Sequence, residues 1–313
     1  MKLRRLFLFT SCWLLFLLGL VFKQWPDSNI HLFMCDVGQG DAILITHGFY
    51  QILIDTGFDE SALACLIKHV PIWDRKLELV VVTHSDNDHS GGYKSVSNQY
   101  FIANIIANPA TIQKLTVLGL LKALPMEEQA QPVGPANLTR FLKPQISECV
   151  WVDHKLNFCL VSPDLNQTES ISLDLSAAET ILSAEGSNLV DEVEDNNSES
   201  IVLFGHLDEV GLALMADLPA EAELALFQKG LIEEVEILKV AHHGSKNSTN
   251  NTVVQKMLPE ISLLSVGKNN RYGHPAPEIL KTLTDLGSKI YRTDKDGEVE
   301  VVIANHRYWV SHK

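Results

Sequence analysis

The sequence predicts an α/β protein with mixed β-sheets, because short apolar runs alternate with segments of helical character. The apolar runs are rich in Val, Ile and Leu and are bounded by turn residues, as strands usually are. Two of them, at residues 79–82 and 238–240, end in histidines followed by glycine. The chain has 313 residues, 46% of them apolar, which suffices for one large or two ordinary domains with a substantial core.

The predicted elements follow one another along the chain without an evident repeat. Strands are expected at residues 30–35, 42–46, 51–54, 79–82, 149–152, 158–161, 200–204, 211–215, 234–240, 261–266 and 299–304. Helices are expected at residues 61–69, 104–142, 220–229 and 277–286, the second of them interrupted by Pro125, Pro132, Gly134 and Pro135. Strands punctuated by helices in this way are typical of sheets covered by helices.

The N-terminus has the pattern of a membrane-targeting segment. Lys2, Arg4 and Arg5 precede an apolar run at residues 6–22, whose length lies between a signal-peptide core and a minimal spanning helix. No small-x-small cleavage site follows, which favours an uncleaved anchor within residues 1–27; a cleaved signal and a buried core helix are the alternatives. The basic start would stay in the cytoplasm. The remainder would be extracytoplasmic (periplasmic) and anchored to the inner or cytoplasmic membrane, or secreted after cleavage.

Residues 28–313 are expected to form the functional domain, with an acidic insertion at about 163–199. This insertion is rich in Ser, Asn, Asp and Glu and contains no Lys or Arg. A solvated loop is one interpretation, and a lid that repels polyanions or supplies ligands is the other. The net charge of −14 argues against a high-affinity DNA-binding module, since the surface as a whole repels polyanions.

The five cysteines exclude two kinds of site and leave one question open. No CxxC spacing is present, so neither a structural zinc ribbon nor a thioredoxin-type redox pair is expected. Cys149 and Cys159 flank segments with the pattern of two hairpin arms, and an extracytoplasmic compartment would permit a disulfide between them. The sequence leaves this pairing undecided.

Metal-binding side chains are concentrated directly after the apolar run at 79–82. His84, Asp86, Asp88 and His89 are followed at once by Gly91-Gly92. Side chains that diverge along a strand can converge where the chain turns sharply at the strand end, and the two glycines permit such a turn. Imidazole and carboxylate together suit Zn²⁺ or Mn²⁺. A polar loop that merely contains two histidines is the alternative interpretation.

A second histidine group and two single residues extend this pattern. His242 and His243 follow another apolar run and precede a glycine turn. Asp217 closes a further strand and could bridge two metals, although a single aspartate there more often caps a turn or helix. His274 lies in a turn-rich loop, where a single histidine is usually structural. The recurrence of histidines at a strand end argues against coincidence.

Together these motifs resemble the metallo-β-lactamase-fold hydrolases, and within them the C-terminal hydrolase domain of the ComEC/Rec2 DNA-uptake proteins. The matching positions run in the family's order from about residue 30 to the C-terminus, so the resemblance covers nearly all of the chain outside the N-terminal segment. The residues that carry it are Asp36-Val37-Gly38-Gln39-Gly40-Asp41-Ala42, Asp55-Thr56-Gly57, His84-Ser85-Asp86-Asn87-Asp88-His89-Ser90-Gly91-Gly92, Asp217, His242-His243-Gly244-Ser245, Ser248-Thr249, Tyr272-Gly273-His274-Pro275 and Arg292-Thr293-Asp294.

The resemblance implies a four-layer αββα sandwich of two mixed sheets, with a site for two divalent metal ions at one edge. It implies that His84 and Asp86 serve one ion and that a second pair, Asp88 and His89, serves the other. Asp217 would bridge the two ions.

The same resemblance assigns the remaining histidines. His242 would complete the second metal site, because related sequences keep a histidine there and vary the next residue. His243 would support a ligand or face the substrate. Asp88, His243 and His274 are therefore the expected catalytic residues, with Asp88 both ligating and orienting the attacking water. His274, Ser245 or Lys246 would bind phosphate or stabilise developing charge.

Two departures from the common form of this fold affect the choice of metal. Asp86 stands where the common form has histidine, and the segment at residues 196–200 contains no histidine where a further ligand is expected. An Asp and an Asn carbonyl make the first site oxygen-rich, which favours Mn²⁺ or Mg²⁺ over Zn²⁺ there. The ComEC-like pattern shares both departures.

The sequence is compatible with three functions. The first is a metal-dependent phosphodiesterase or nuclease that uses a metal-activated water on DNA or a small phosphodiester. The second is a hydrolase of small esters, lactones or amides, which the charge of −14 and the acidic insertion favour. The third is a catalytically degenerate binding module. A serine nucleophile is not expected, because no Gly-x-Ser-x-Gly motif is present.

Overall fold

Strands and helices alternate along the part of the chain that the computed structural model describes, which is residues 2–117, 140–142, 148–151, 155–161 and 197–312. The strands are β1 (Ile30–Met34), β2 (Ile43–His47), β3 (Tyr50–Ile54), β4 (Lys76–Leu77), β5 (Leu79–Val82), β6 (Phe101–Ile102), β7 (Asn104–Ala107), β8 (Arg140–Leu142), β9 (Glu148–Trp151), β10 (Leu156–Val161), β11 (Val202–Leu207), β12 (Val210–Leu214), β13 (Ile237–Lys239), β14 (Ile261–Leu264), β15 (Lys289–Arg292), β16 (Val299–Ala304) and β17 (Arg307–His312).

The helices are α1 (Lys2–Lys23), α2 (Ser61–His69), α3 (Asn87–Ser90), α4 (Tyr93–Gln99), α5 (Pro109–Val117), α6 (Ala220–Gln228), α7 (Asn251–Met257), α8 (Pro277–Asp285) and α9 (Thr293–Asp296). Two 3₁₀ turns, Asn197–Glu199 and Ala241–Gly244, complete the elements of the described residues.

The strands form two large sheets and a small pair. The first sheet has the order β17-β16-β1-β2-β3-β5-β7-β8, and the second has the order β15-β14-β13-β12-β11-β10-β9. Both are mixed: in the first, β3, β5 and β7 run parallel, and in the second, β12, β13, β14 and β15 run parallel. The remaining strands of each sheet pair antiparallel apart from β8, which is parallel to β7.

Alternation along the strands separates the layers. In β1, Ile30, Leu32 and Met34 belong to a core that the two sheets share, while Phe33 belongs to the core under the helices of the first sheet. Successive side chains of a strand point to opposite faces, so an apolar strand of this kind must be covered on both sides. A third core lies between the second sheet and its helices α6, α7 and α8. The result is the four-layer αββα sandwich that the resemblance implied.

The expected helix at residues 104–142 is wrong at both ends. Asn104–Ala107 is the strand β7, parallel to β5, and Arg140–Leu142 is the strand β8. Short apolar runs that are buried on both faces have no period that separates strand from helix. Only Pro109–Val117 is helical, and residues 118–139 lie outside the described part.

Four strands were not predicted because their sequences lack a long apolar run: the two-residue strands β4 and β6 and the edge strands β15 and β17. In β15, which lies at the edge of the second sheet, Tyr291 is buried and the other residues are half-buried or exposed; in β17, at the edge of the first sheet, every residue is half-buried or exposed. An edge strand can be mostly polar, since only one of its sides pairs with a neighbour.

The predicted N-terminal segment forms helix α1, Lys2–Lys23. Within the described residues, no helix combines the length and the apolar character that crossing a membrane requires. The location of the chain and the cleavage of this segment stay predictions.

The cysteines form a disulfide that the sequence did not indicate. Cys35, which follows β1, is bonded to Cys65 in α2. Cys159 is also disulfide-bonded, and the register of β9 and β10 places Cys149 opposite it. The side chain of Cys149 is outside the described ones, so the Cys149–Cys159 pair stays a prediction. The acidic insertion likewise lies outside the described residues, apart from its last three at 197–199.

Glu223 in α6 predicts a pH dependence of stability. Its carboxylate accepts backbone N–H groups of Thr249 and Asn250, yet burial raises its pKa to about 7. Between the ordinary glutamate pKa and this value the folded chain holds the extra proton, so the free energy of unfolding should fall as pH rises. We expect denaturation with metal chelated to show that, from pH 4 to pH 8, the free energy of unfolding of the wild type falls by roughly 3 kcal/mol more than that of Glu223→Gln. Glu221→Gln, exposed on the same helix, is the matched control; equal pH profiles for wild type and Glu223→Gln would contradict the prediction.

Candidate metal centre

The carboxyl ends of parallel strands from both sheets meet at one end of the sandwich. In the first sheet, β3 leads into Asp55 and β5 leads into His84. In the second sheet, β12 leads to Asp217 and β13 to the turn that contains His243. Parallel neighbouring strands end at the same sheet edge, so residues far apart in sequence are brought together there.

Four side chains form the centre of this group. The ligand atoms of Asp88, His89, Asp217 and His243 all lie within 4.8 Å of one another. His243 Nε2 is 3.5 Å from Asp88 Oδ2 and 3.6 Å from Asp217 Oδ2. His89 Nε2 is 3.3 Å from Asp217 Oδ1 without hydrogen-bond geometry. Two imidazoles and two carboxylates at this spacing could hold a divalent cation.

His84 and Asp86 lie beside this group. His84 Nε2 is 3.5 Å from Asp86 Oδ2, and the His84 ring centroid is 4.1 Å from that of His89. These two side chains were predicted to serve the first metal ion, and the structure brings them together next to the second group.

Hydrogen bonds fix the tautomers of the three buried histidines. His89 Nδ1 donates to Asp55 Oδ2 at 2.7 Å, and His243 Nδ1 donates to the Ser265 carbonyl at 2.9 Å. The Thr83 hydroxyl donates to Asp55 Oδ2, so at 3.0 Å it can only accept from His84 Nδ1. In each ring the Nε2 is therefore left to face the centre, the arrangement that outer partners impose on metal-ligating histidines.

Donor atoms at this centre lack protein partners. Among the described residues, buried side-chain atoms without a hydrogen bond include Asp41 Oδ1, His84 Nε2, His89 Nε2, Asp217 Oδ1 and His243 Nε2. Each such atom costs about 1–3 kcal/mol when it is left unsatisfied. Imidazole nitrogens and carboxylate oxygens are donors that divalent metals accept. The residues present therefore fit a metal site.

Carboxylates give this centre a strong preference for positive charge. Burial alone would lower the pKa of His243, but the carboxylates of Asp217 and Asp41 outweigh burial and raise that pKa to about 9. Burial would also lower the pKa of His89, but the carboxylates of Asp217 and Asp55 outweigh burial and raise that pKa well above its usual value. His84 differs, because burial and the nearby His89 lower its pKa to about 4. A cation at this centre, whether proton or metal, is stabilised by the surrounding acids.

Three buried residues that support the centre were given no role from the sequence, although Asp41 and Asp55 belong to the motifs that carry the resemblance. Asp55 accepts from His89 and Thr83, while Asp41 contacts the ammonium of Lys239, which is 1% exposed. Lys239 also donates to the Ala216 carbonyl at 3.2 Å. The sequence does indicate a buried ion pair here. Lys239 is the one charged residue in the apolar run at 237–241, and a charge within a buried strand requires a partner.

The role expected for Gly91 and Gly92 is wrong. Both have ordinary helical backbone angles, with φ of −64° and −77°. A Cβ at Gly92 would lie 2.1 Å from the Thr56 carbonyl oxygen, and one at Gly91 would lie 2.3 Å from that of Phe58. The glycines are required because the loop after β3 packs directly on this backbone, not because the chain turns with unusual angles.

The adjacent pair His242 and His243 has an unusual backbone. Both residues are left-handed, with φ of 49° and 54°. This conformation costs free energy for a residue with a Cβ and is concentrated at functional sites. It directs the His243 side chain into the buried centre, at 2% exposure, while that of His242 stays at the rim at 31%. His242 Nε2 is nevertheless 3.6 Å from Asp217 Oδ2.

A groove opens beside the rim. It is lined in part by His242, Ser245, Lys246, Tyr272 and His274. The rings of His242 and His274 are 5.8 Å apart, and Tyr272 stacks on His274 at 5.7 Å with 72% of its surface exposed. His274, predicted to be catalytic, thus lies in the groove and outside the buried cluster.

The predicted site residues all lie at this end of the molecule. Those within the buried cluster or directly beside it are His84, Asp86, Asp88, His89, Asp217 and His243. Those in the groove are His242 and His274. Their individual roles stay predictions.

Comparison with known proteins agrees with this architecture. Residues 35–115, which include the segment from Asp36 to Gly92, match the Metallo-beta-lactamase superfamily. The metallo-beta-lactamase fold protein YhfI from Bacillus subtilis superposes with a TM-score of 0.51 at 11% identity, covering 90% of this chain and 100% of that one. This chain has the metallo-β-lactamase fold.

Curated relatives confirm the predicted resemblance to the ComEC/Rec2 type. ComE operon protein 3 of Bacillus subtilis (strain 168) is 26% identical over 85% of this chain, and Recombination protein 2 of Haemophilus influenzae is 24% identical over 90%. Competence protein ComA of Neisseria gonorrhoeae is 23% identical over 88%. The chain spans only 30–32% of the length of these relatives.

Proposed function

We propose that this chain is a metal-dependent hydrolase that cleaves phosphodiesters, with DNA as the favoured substrate class. The observation that carries the proposal is the convergence of buried Nε2 and carboxylate atoms that have no protein partner. A degenerate binding module would have no reason to keep such atoms unsatisfied, since replacing them by apolar groups would stabilise the fold.

Charge favours two divalent ions over one. The carboxylates at the centre belong to Asp41, Asp55, Asp86, Asp88 and Asp217, and among the described residues the one fully buried ammonium there belongs to Lys239. With the histidines neutral, these groups leave four negative charges, which two divalent cations would neutralise. Buried charge that is left uncompensated is strongly unfavourable.

We assign one ion to Asp88, His89, His243 and Asp217, whose donor atoms already cluster. This assignment replaces His242 by His243, because the Nδ1 of His243 is tied to a carbonyl and its Nε2 is buried without a partner.

We assign the other ion to His84, Asp86 and Asp217. Asn197 is the candidate for a further oxygen ligand, since its Oδ1 is buried without a partner. The segment that follows it adjoins the metal loop, with Ile201 N–H donating to the Thr83 carbonyl at 2.9 Å. This oxygen-rich set favours Mn²⁺ or Mg²⁺, whereas the other set suits Zn²⁺ or Mn²⁺.

Residues of the buried centre would bind the metal ions, and residues of the groove would bind the phosphodiester. Divalent ions would supply Lewis acidity and lower the pKa of the attacking water. His242 and His274 face the groove, where they can contact the oxygens of a bound phosphodiester. Lys246 provides positive charge for phosphate, and the exposed ring of Tyr272 provides a surface on which a base could stack.

The relatives support a DNA substrate over other phosphodiesters. Their names refer to competence and to recombination, and the similarity extends over 85–90% of this chain. The competing substrate class is small esters, lactones and amides. The net charge of −14 favours that class, because a uniformly acidic surface slows the approach of a polyanion.

The experiment that tests the function is a substrate panel with defined metals. The purified chain, stripped of metal and reloaded with Mn²⁺, Mg²⁺ or Zn²⁺, is given single-stranded DNA, bis-p-nitrophenyl phosphate and a series of lactones. We expect metal-dependent cleavage of the first two. Turnover of lactones alone would replace the proposal by the second class, and no turnover of any substrate in the loaded protein would refute an enzymatic role.

Alanine variants of the neighbouring His242 and His243 should differ in the amount of metal they bind. We expect His243→Ala to lose bound metal, because it removes a buried Nε2 donor, and we expect His242→Ala to keep its metal while turnover of bis-p-nitrophenyl phosphate falls at least about tenfold. Metal content by mass spectrometry, measured beside the rate, distinguishes them. Full metal in His243→Ala together with loss in His242→Ala would restore the original assignment.

A further inference from the structure

Exposed apolar side chains gather at the end of the first sheet that lies opposite the metal centre. Three turns contribute them: the segment after α1, the turn between β2 and β3, and the segment between α2 and β4. The residues, between 41% and 66% exposed, are Trp25, Phe49, Tyr50, Ile72 and Trp73, which we call the base patch. Single exposed apolar residues are normal, but a contiguous group marks an interaction site.

Contacts between the three turns make the base patch one surface. The rings of Trp25 and Phe49 meet edge to face, with centroids 5.4 Å apart. The side-chain oxygen of Gln24 accepts the Ile72 N–H at 3.2 Å. Gln51 Nε2 donates to Asp74 Oδ2 at 3.3 Å, which ties the start of β3 to the residue after Trp73. These contacts join the three turns, and the apolar side chains of the patch remain exposed.

We propose that the base patch docks on a lipid bilayer. The patch is dominated by Trp, Tyr and Phe, and Trp and Tyr are the residues that favour the boundary between headgroups and hydrocarbon. It consists of the tips of turns, which can penetrate a fluid layer without a complementary groove. One of its residues, Trp25, follows helix α1 by two positions, and Phe22 in the last turn of that helix is 73% exposed, so the patch adjoins a further exposed apolar side chain.

The charges around the patch indicate a neutral lipid surface. Two neighbouring cations are engaged within the fold, since Arg75 lies over the Tyr100 ring and Lys76 pairs with Glu78. The exposed Lys23 at the end of α1 is opposed by the nearby Asp27. Asp74 adds negative charge at the rim. Anionic headgroups would therefore gain little, and binding should depend on apolar burial and be insensitive to salt.

Docking in this way leaves the metal centre accessible. Strand β3 begins at Tyr50 in the patch and leads to Asp55 at the centre. Five strand residues span roughly 16 Å, so the two features lie at opposite ends of the sheet. The groove then faces away from the bilayer, toward substrate in the aqueous phase.

Depth measurement on the full chain tests the proposal. Nitroxide labels are placed at Ile72→Cys or Phe49→Cys, with the free Cys12 replaced by serine, and Phe58→Cys serves as the control because it is 61% exposed at the metal end. With phosphatidylcholine vesicles, we expect the two patch labels to become accessible to oxygen and shielded from an aqueous relaxant, and the control label to stay in water. Patch labels that stay in water while the chain binds vesicles through α1 would overturn the proposal.

A second measurement separates lipid from a second copy of the chain. We expect Ile72→Ser combined with Trp73→Ser to lower the vesicle partition coefficient about tenfold at low and at high salt, and Trp309→Ser, equally apolar and 50% exposed, to leave it unchanged. Circular dichroism and metal content verify that the variants are folded. A dimer in lipid-free sedimentation that the double variant abolishes, with unchanged partitioning, would assign the patch to self-association instead.

Discussion

Asp217→Ala is expected to abolish hydrolysis and to release metal, leaving the fold intact. Asp217 is 2% exposed and lies within 3.3–3.6 Å of the Nε2 atoms of His89, His242 and His243. It is the carboxylate proposed to bridge both ions, so its loss removes a ligand from each. Loss of an outer-shell partner already costs about 10–100-fold in metal affinity or activity, and loss of the bridge should exceed that range.

The measurement is metal stoichiometry beside the rate of bis-p-nitrophenyl phosphate hydrolysis. Asp208→Ala is the matched control: it removes another buried aspartate, in the turn between β11 and β12 at the start of the strand that ends near Asp217, where it accepts the His306 N–H at 3.1 Å. The control should keep metal and turnover even if it is less stable. Normal metal content with near-normal turnover in Asp217→Ala would refute both the site and the proposed function.

Lys239→Met is expected to produce the largest loss of stability. The Lys239 ammonium contacts Asp41 and donates to the Ala216 carbonyl, and both members of the ion pair are almost fully buried. Removing one partner of a buried pair leaves an uncompensated charge, which costs about 3–5 kcal/mol. The free energy of unfolding with metal chelated, from urea denaturation, should fall by that amount.

Two further variants test this explanation. Asp41→Asn combined with Lys239→Met should recover part of the loss, because the double variant no longer buries an unpaired carboxylate. Lys256→Met should cost less than about 1 kcal/mol, since Lys256 and its partner Glu234 are 48% and 69% exposed. If the double variant is as unstable as the sum of the single ones, the two residues are not coupled and the explanation fails.

Residue patterns that are local in the chain were predicted correctly. The α/β class with mixed sheets follows from apolar runs with the periods of strands and helices, which the burial of alternate residues in β1 illustrates, whereas the αββα layering was implied by the resemblance to the metallo-β-lactamase fold. The cluster from His84 to His89 was recognised because its ligand types adjoin a buried strand, and neighbours in sequence cannot be far apart in space.

Errors occurred where local sequence is ambiguous. The sequence of the short strand β7 predicts a helix, since a run of four mostly buried residues has no period that distinguishes strand from helix. Gly91 and Gly92 were assigned to a turn, although the constraint on them comes from a distant loop that packs on their backbone.

The sequence was sufficient to predict the fold class, the residue types that could ligate a metal and their placement at strand ends, because each of these depends on residues within one short segment. The packing of the two sheets was needed to show that His243 lies inside the cluster and His242 at its rim, that Lys239 contacts Asp41 from 198 positions away, and that Cys35 is bonded to Cys65. It also decided that three separate turns share the base patch. These contacts depend on which strands lie side by side and on which way each side chain points, and the burial that selects them exists only once both sheets have packed.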